Sequence, residues 1–84
     1  MWKAVVYVTI KEGGLDPQGT AVERALHARG FREVSGVRIG KYVELMIDAA
    51  DRSEAEARLR QKCETLLANP EVEDYRYELE VVPS

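Results

Sequence analysis

The 84-residue chain holds one cysteine, one histidine, one tryptophan and one phenylalanine. A single thiol, Cys63, cannot close an internal disulfide, and alone it cannot build a cysteine-based metal site. His27 has no serine or cysteine near it in sequence, which disfavours a nucleophile–base pair. It stands beside an apolar helical stripe and reads as a solvated side chain. Excess positive charge is also lacking. Lys and Arg number 12 against 15 Asp and Glu, for a net charge of −3. A general binder of nucleic acid or anionic membrane would carry a basic patch. An RNA-reading sheet would need stacking aromatics in a basic setting. No apolar run nears the ~20 residues that span a bilayer, and the N-terminus enters a strand-like run without a signal-peptide core. The expectation is a soluble, cytoplasmic protein with no membrane and no nucleic acid among its partners. Gly13-Gly14 and Gly19 fit neither the P-loop nor the dinucleotide-binding spacing.

What is present is ordinary globular material: 45% apolar and 32% charged residues, enough for folding and against disorder. The length suits one domain, residues 1–84. A domain of this size buries only about 60–65% of its unfolded surface, so its core is small and a partner subunit would enlarge it.

Trp2 to Ile10 alternates, with Trp2, Ala4, Val6, Val8 and Ile10 on one face and Lys3, Val5, Tyr7 and Thr9 on the other. Period two with β-branched residues predicts a strand, and apolar residues on both faces predict a central one. After the polar loop 11–14 comes Leu15-Asp16-Pro17-Gln18-Gly19. Asp16 can cap a helix, and Pro17 suits its first position. Gly19 weakens a first turn by roughly 1 kcal/mol relative to alanine. The simpler reading is a capped helix start with a permissive glycine. The other is a contact point where something approaches the backbone, favouring an anionic partner. The helix runs from about Pro17 to Arg29 on a narrow stripe of Ala21, Val22, Ala25 and Leu26, and Gly30 ends it.

Residues 34–49 form a strand region interrupted at Gly40-Lys41. A two-residue Gly-X turn there would give two antiparallel strands, the preferred reading. One long strand bent at Gly40 by a bulge is the alternative. Ser53 and Glu56 have capping-box spacing. A second helix follows to about Ala68 with Ala55, Leu59, Cys63, Leu66 and Leu67 buried. Asn69 would take a left-handed cap, and Pro70 forbids continuation. Residues 74–82 alternate again, with Tyr75, Tyr77, Leu79 and Val81 on one face.

The order strand, helix, strand, strand, helix, strand is the α+β, ferredoxin-like two-layer plan: a four-stranded antiparallel sheet with two helices on one face. The first and third strands would be central, leaving Val5, Tyr7, Tyr42 and Met46 on the open face, flanked by Arg38, Arg76, Glu78 and Glu80. An apolar stripe rimmed by charge reads as a self-association surface. Reactive chemistry is weak by comparison. Cys63 lies in an apolar stripe, where a thiol is inert. Glu71, Glu73, Asp74, Glu78 and Glu80 line a strand edge as a solvated face rather than an acid–base pair. Arg38 and Lys41 make a small basic spot at the expected hairpin tip.

Several short motifs stand in one order: Lys11, Leu15-Asp16-Pro17-Gln18-Gly19, Leu26 with Gly30, Val37-Arg38, Gly40-Lys41, then Cys63 with Leu66-Leu67-Ala68-Asn69-Pro70 and Glu73. This set resembles the PurS subunit family of phosphoribosylformylglycinamidine (FGAM) synthase over nearly the whole chain. The resemblance implies a small subunit with no intrinsic catalysis. Such subunits form a homodimer or a dimer of dimers and bridge an ATP-dependent synthetase subunit and a glutaminase subunit. ATP and Mg2+ are then expected on the synthetase and no cofactor or metal on this chain. The same resemblance makes Lys11, Asp16, Pro17, Gln18, Gly19, Arg38, Gly40, Lys41, Asn69 and Pro70 partner-contact or structural positions. A free-standing sensor domain of the same fold, binding a small metabolite at a dimer face, is the competing expectation.

Overall fold

The computed structural model describes residues 1–83. Strand β1 (Trp2–Ile10) is the middle of a three-stranded antiparallel sheet, between β2 (Gly40–Ile47) and β3 (Glu73–Val81). Its alternation works as expected. Ala4, Val6 and Val8 are buried beneath the helix layer, and Val6 pairs with Val43 on one side and Tyr77 on the other. Helix α2 (Arg52–Lys62) covers that face, with Ala55 and Leu59 fully buried. Its cap is Asp51, which accepts from the Glu54 amide at 2.9 Å, not Ser53. Asp51 has the same three-residue spacing to a glutamate, Glu54, two residues earlier, and the helix starts there.

The end of α2 departs from regular spacing. Cys63–Leu67 forms a π turn, closed by the Ala68 amide donating to the Cys63 carbonyl at 2.8 Å. The wider turn breaks the 3.6-residue period. Cys63 and Ala68 are therefore buried, while Leu66, expected inside, is 83% exposed. Asn69 is not left-handed, since no non-glycine residue has positive φ among those described. Instead it staples the corner into β3. Its side-chain oxygen accepts from the Glu71 amide at 3.1 Å, and its own amide donates to Glu73 Oε1 at 2.7 Å.

Two expectations about the first half of the chain are corrected. The sheet has three strands rather than four, and no hairpin turns at Gly40-Lys41. The chain passes from residues 34–39 into β2 without a turn at Gly40, which does not adopt positive φ. Gly40 is needed for another reason: a Cβ there would collide with the Val8 carbonyl oxygen of the neighbouring strand. The second correction concerns helix α1 (Pro17–Ala28), which stands off the sheet instead of sharing a face with α2. Gly19 is its only buried residue, and only α2 packs against all three strands. The molecule is accordingly long, 51 × 28 × 15 Å with a radius of gyration of 16.4 Å, against about 12 Å for a compact chain of this length.

Candidate functional site

Helix α1 and residues 34–39 form an arm beyond the end of the sheet where β1 finishes. Side chains of α1 hold the extended segment by its backbone. Asp16 accepts from the Gly19 amide (2.9 Å), capping the helix, and with its other oxygen from the Ile39 amide (2.9 Å). Glu23 accepts from the Val37 amide at 3.1 Å, and His27 Nε2 donates to the Val34 carbonyl at 2.6 Å. Arg38 reaches back to the Ile10 carbonyl and ties the arm to the sheet. These bonds explain the missing strand: the amides of Val37 and Ile39, which a ladder would use, belong to carboxylates of α1.

Gly19 resolves in favour of a close approach, and the approaching group is internal. A Cβ at Gly19 would overlap the Val37 carbonyl oxygen, so glycine lets helix and segment touch. Glu23 went unnoticed in the sequence, and His27, read there as solvated, is tethered to the Val34 carbonyl. Their signal was a polar stripe at helical spacing, Gly19, Glu23 and His27, beside the apolar one.

The two backbone bonds lower the pKa of Asp16 below its ordinary 3.8, with the Gly19 amide contributing most and the Ile39 amide next; Arg38 adds to this. A depressed carboxyl pKa stabilises the fold above the unfolded pKa, and the contribution is lost as pH falls through the folded one. The Asp16 link is therefore intact at neutral pH and releases below about pH 4. Amide exchange of Ile39, compared with a neighbouring sheet amide, should rise on acidification through that window. In Asp16→Asn the rise should vanish because exchange is already fast at pH 7.

The remaining positions singled out from sequence gather at the same end of the sheet. The Lys11 amide donates to the Val72 carbonyl (2.9 Å), and Lys41 Nζ donates to the Leu67 carbonyl (3.0 Å) beside the π turn. Asn69 and Pro70 form the adjoining corner, and Pro17 occupies the first turn of α1. Gln18 is exposed.

On the open face, Tyr7 and Tyr42 pair across the strands edge to face, with ring centroids 5.5 Å apart, and the Arg76 guanidinium lies 4.1 Å over the Tyr7 ring. Tyr42 donates to Glu44 at 2.5 Å, and that carboxylate is the main cause of its pKa being pushed up to about 12. Val5 sits between Glu44 and Glu78 of the flanking strands. The expected apolar stripe is thus an aromatic–arginine cluster around Tyr7 and Tyr42, with Met46, 53% exposed, towards the other end. Tyr, Trp and Arg are the residues that most often anchor protein interfaces.

No group of three or more His, Cys, Asp or Glu is placed to hold a metal among the described residues. Burial pushes the Cys63 thiol pKa up, the opposite of an activated nucleophile. No helix is long and apolar enough to cross a membrane among the described residues. With polar side chains holding backbone and apolar ones exposed on two surfaces, the chain is a small α+β domain built on a three-stranded antiparallel sheet.

Comparison with known proteins places it more narrowly. Residues 3–81 match the PurS family model, described as phosphoribosylformylglycinamidine (FGAM) synthase, and the chain belongs to that family. Phosphoribosylformylglycinamidine synthase subunit PurS of Bacillus subtilis is 54% identical over 82 residues, covering 98% of this chain and 96% of the relative. A crystal form of B. subtilis PurS superposes with a TM-score of 0.87, at 53% identity and covering 96% and 100% of the two chains. PurS of Methanocaldococcus jannaschii, described as a subunit of formylglycinamide ribonucleotide amidotransferase in the purine biosynthetic pathway, gives 0.86 at 31% identity, covering 99% and 100%. A chain of the PurLQS structure from Thermotoga maritima gives 0.85 at 30% identity, covering 94% and 96%.

Proposed function

We propose that this chain is the non-catalytic small subunit of a glutamine-dependent phosphoribosylformylglycinamidine synthase of purine biosynthesis. It bridges the ATP-dependent synthetase and the glutaminase subunits in the cytoplasm and supports ammonia transfer between them. The observation that carries this reading is the likeness over nearly its full length to a chain of the PurLQS assembly. The way its charged side chains hold its own backbone agrees with a scaffold. ATP and Mg2+ act on the synthetase subunit, and this chain holds no cofactor. The positions at the arm root and the sheet end, Lys11, Gln18, Lys41, Asn69 and Pro70, offer polar contacts for the larger subunits.

Ammonia released at one subunit must reach another before water protonates it, so the subunits have to be held in register. Amidation driven by glutamine, measured with synthetase and glutaminase subunits alone, should fall at least tenfold without this chain. The rate with high external ammonium should change much less. Equal glutamine-dependent rates with and without the chain would rule the bridging role out.

The chain also self-associates, as a homodimer or a dimer of dimers, through the open sheet face with Val5, Tyr7, Tyr42 and Met46. A carboxylate placed there must be desolvated in the interface. Met46→Asp should reduce the sedimenting mass by half with an unchanged circular dichroism spectrum. An unchanged mass would place the contact between copies elsewhere.

A further inference from the structure

A hollow of about 480 Å³ opens where the arm leaves the sheet. One wall is the loop after β1, with Lys11, Glu12 and Gly13. The other is the arm, with Thr20 and Glu23 of α1 and Arg38 of the extended segment. The volume lies in the range of small-molecule sites. The loop wall is tied to the sheet and to itself. The Lys11 amide donates to the Val72 carbonyl at 2.9 Å, and the Gly14 amide donates to the Lys11 carbonyl at 2.8 Å. Peptide groups without side chains face the space from both walls. A Cβ at Gly13 or Gly36, both of which line the hollow, would meet no protein atom within 4 Å.

The hollow collects charges of both signs that do not pair with one another. Among the described residues the ion-pairing cations are Lys3, Arg52, Arg58 and Arg60, so Lys11 and Arg38 have no carboxylate partner. Arg38 gives one N–H to the Ile10 carbonyl and keeps its others. Of the carboxylates, Asp16 commits both oxygens to the Gly19 and Ile39 amides. Glu23 commits one oxygen to the Val37 amide, which leaves the second. Glu12 stands in no ion pair either. Two cations and two available carboxylates therefore line one space without closing it. An anion there is repelled by Glu12 and Glu23, and a cation by Lys11 and Arg38. A small molecule carrying both charges satisfies all four.

We propose that this hollow binds a free α-amino acid with an uncharged polar side chain. Its carboxylate lies between Arg38 and Lys11, and its ammonium group donates to Glu12 and to the second oxygen of Glu23. Both are charge-assisted hydrogen bonds. The Thr20 hydroxyl and the bare peptide groups at Gly13 and Gly36 can donate and accept, which suits a side-chain amide or hydroxyl. A charged side chain would bring a third charge with no partner left for it. Lys11 and Arg38 are exposed, so water competes for both, and the expected Kd is about 1 mM. The ligand touches two bodies at once. Lys11 and Glu12 belong to the end of the sheet, while Glu23 and Arg38 belong to the arm. Binding therefore fixes the arm on the sheet and orders its root. The proposal is independent of the bridging role and of the self-association argued above.

Titration of the purified chain followed by amide chemical shifts tests it, with L-asparagine as the probe. L-Asparagine should bind with a Kd of about 1 mM and shift the amides of Gly13 and Gly36. Succinamic acid lacks the α-amine, and 3-aminopropanamide lacks the carboxylate. Each should bind at least about tenfold more weakly, the effect of losing one charge-assisted hydrogen bond. Either analogue, or inorganic phosphate, binding as tightly as L-asparagine would overturn the two-charge site. Lys11→Gln and Glu23→Gln should each weaken binding about tenfold, and Lys11→Arg should retain it. Lys11 is held to the sheet through its backbone, and glutamine at position 23 keeps an oxygen for the Val37 amide. Both variants should therefore keep the wild-type circular dichroism spectrum. Saturating L-asparagine should also slow hydrogen exchange at the Val37 and Ile39 amides and leave the β1 amides unchanged. Unchanged exchange at Val37 and Ile39 would overturn the fixing of the arm. No binding of L-asparagine at concentrations roughly tenfold above the expected Kd would overturn the site itself, whatever the amidation assays show.

Discussion

Leu59→Ala should lower the unfolding free energy by about 3–4 kcal/mol, within the usual range for emptying a buried leucine site. Among the described residues Leu59 is the largest fully buried side chain, wedged from α2 against a sheet whose fully buried contributors are smaller, Ala4, Val6 and Val8 from β1, with Ile47 of β2 beside them. Neighbouring alanines and valines cannot extend into the space a missing isobutyl group leaves. The site can therefore collapse only by moving α2. Cys63 and Ala68, which sit in the same cluster, depend on α2 through the π turn. A natural domain has only about 5–15 kcal/mol in total, so this one substitution removes a large share of it. Urea unfolding followed by circular dichroism, with the midpoint falling at unchanged slope, is the check. A loss below 1 kcal/mol would mean that the core is not centred on Leu59. Leu66→Ala is the internal contrast. Its side chain is 83% exposed after the π turn, and in a monomeric background its removal should change stability by less than about 0.5 kcal/mol.

The second large effect is a reversal of sign at Gly19. Helix propensity alone predicts that Gly19→Ala stabilises α1 by up to about 1 kcal/mol. The structure predicts the opposite, because any Cβ at this position meets the Val37 carbonyl and lies 2.9 Å from Asp16 Oδ2. The carbonyl belongs to backbone and cannot rotate away, so the 34–39 segment must be displaced. Displacement stretches the bonds from the Val37 and Ile39 amides to Glu23 and Asp16. Overpacking of this kind costs about 1–3 kcal/mol, and the loosened hydrogen bonds add on the order of 1 kcal/mol each. Gly19→Ala should therefore destabilise the arm, and Gly19→Val more so, by about 3 kcal/mol. Hydrogen exchange at the Val37 and Ile39 amides reads the arm directly, while amides of β1 should keep their protection. A slower-exchanging Ile39 amide in Gly19→Ala would show that propensity wins and that the close approach relaxes.

Local rules carried the sequence reading a long way. The alternation from Trp2 to Ile10 was enough to place β1 in the centre with Ala4, Val6 and Val8 inward, because a two-residue period leaves only two faces to choose between. Asp16 and Pro17 were enough to start α1, since a cap acts on amides two or three residues away. Its Gly30 end has the left-handed φ of 95° that a glycine stop predicts. The inert character of Cys63 followed from its place in the stripe of α2. The ordered motifs from Lys11 to Glu73 were enough to indicate the family, through residues that the fold uses mainly to hold its own backbone.

Other features turned on competition between distant groups. Asp51 displaced Ser53 as a cap because two overlapping capping spacings were present, and the choice lay with the packing of α2. The π turn moved Leu66 to the surface and Ala68 inside, a change of one residue that no regular period anticipates. Residues 34–39 have a strand's pattern and lie next to a glycine able to turn. Yet Asp16 claims the Ile39 amide from 23 residues away and Glu23 claims the Val37 amide from 14 away. The sequence by itself determined β1, β3, the strand after Gly40 and the two helices, and where α1 begins and stops, since these depend on neighbours within a few residues. Only the tertiary structure decided that no turn forms at Gly40, that the sheet stops at three strands and that α1 stands away from it. Those outcomes depend on which acceptor reaches a backbone amide first in space, and chain order does not encode that distance.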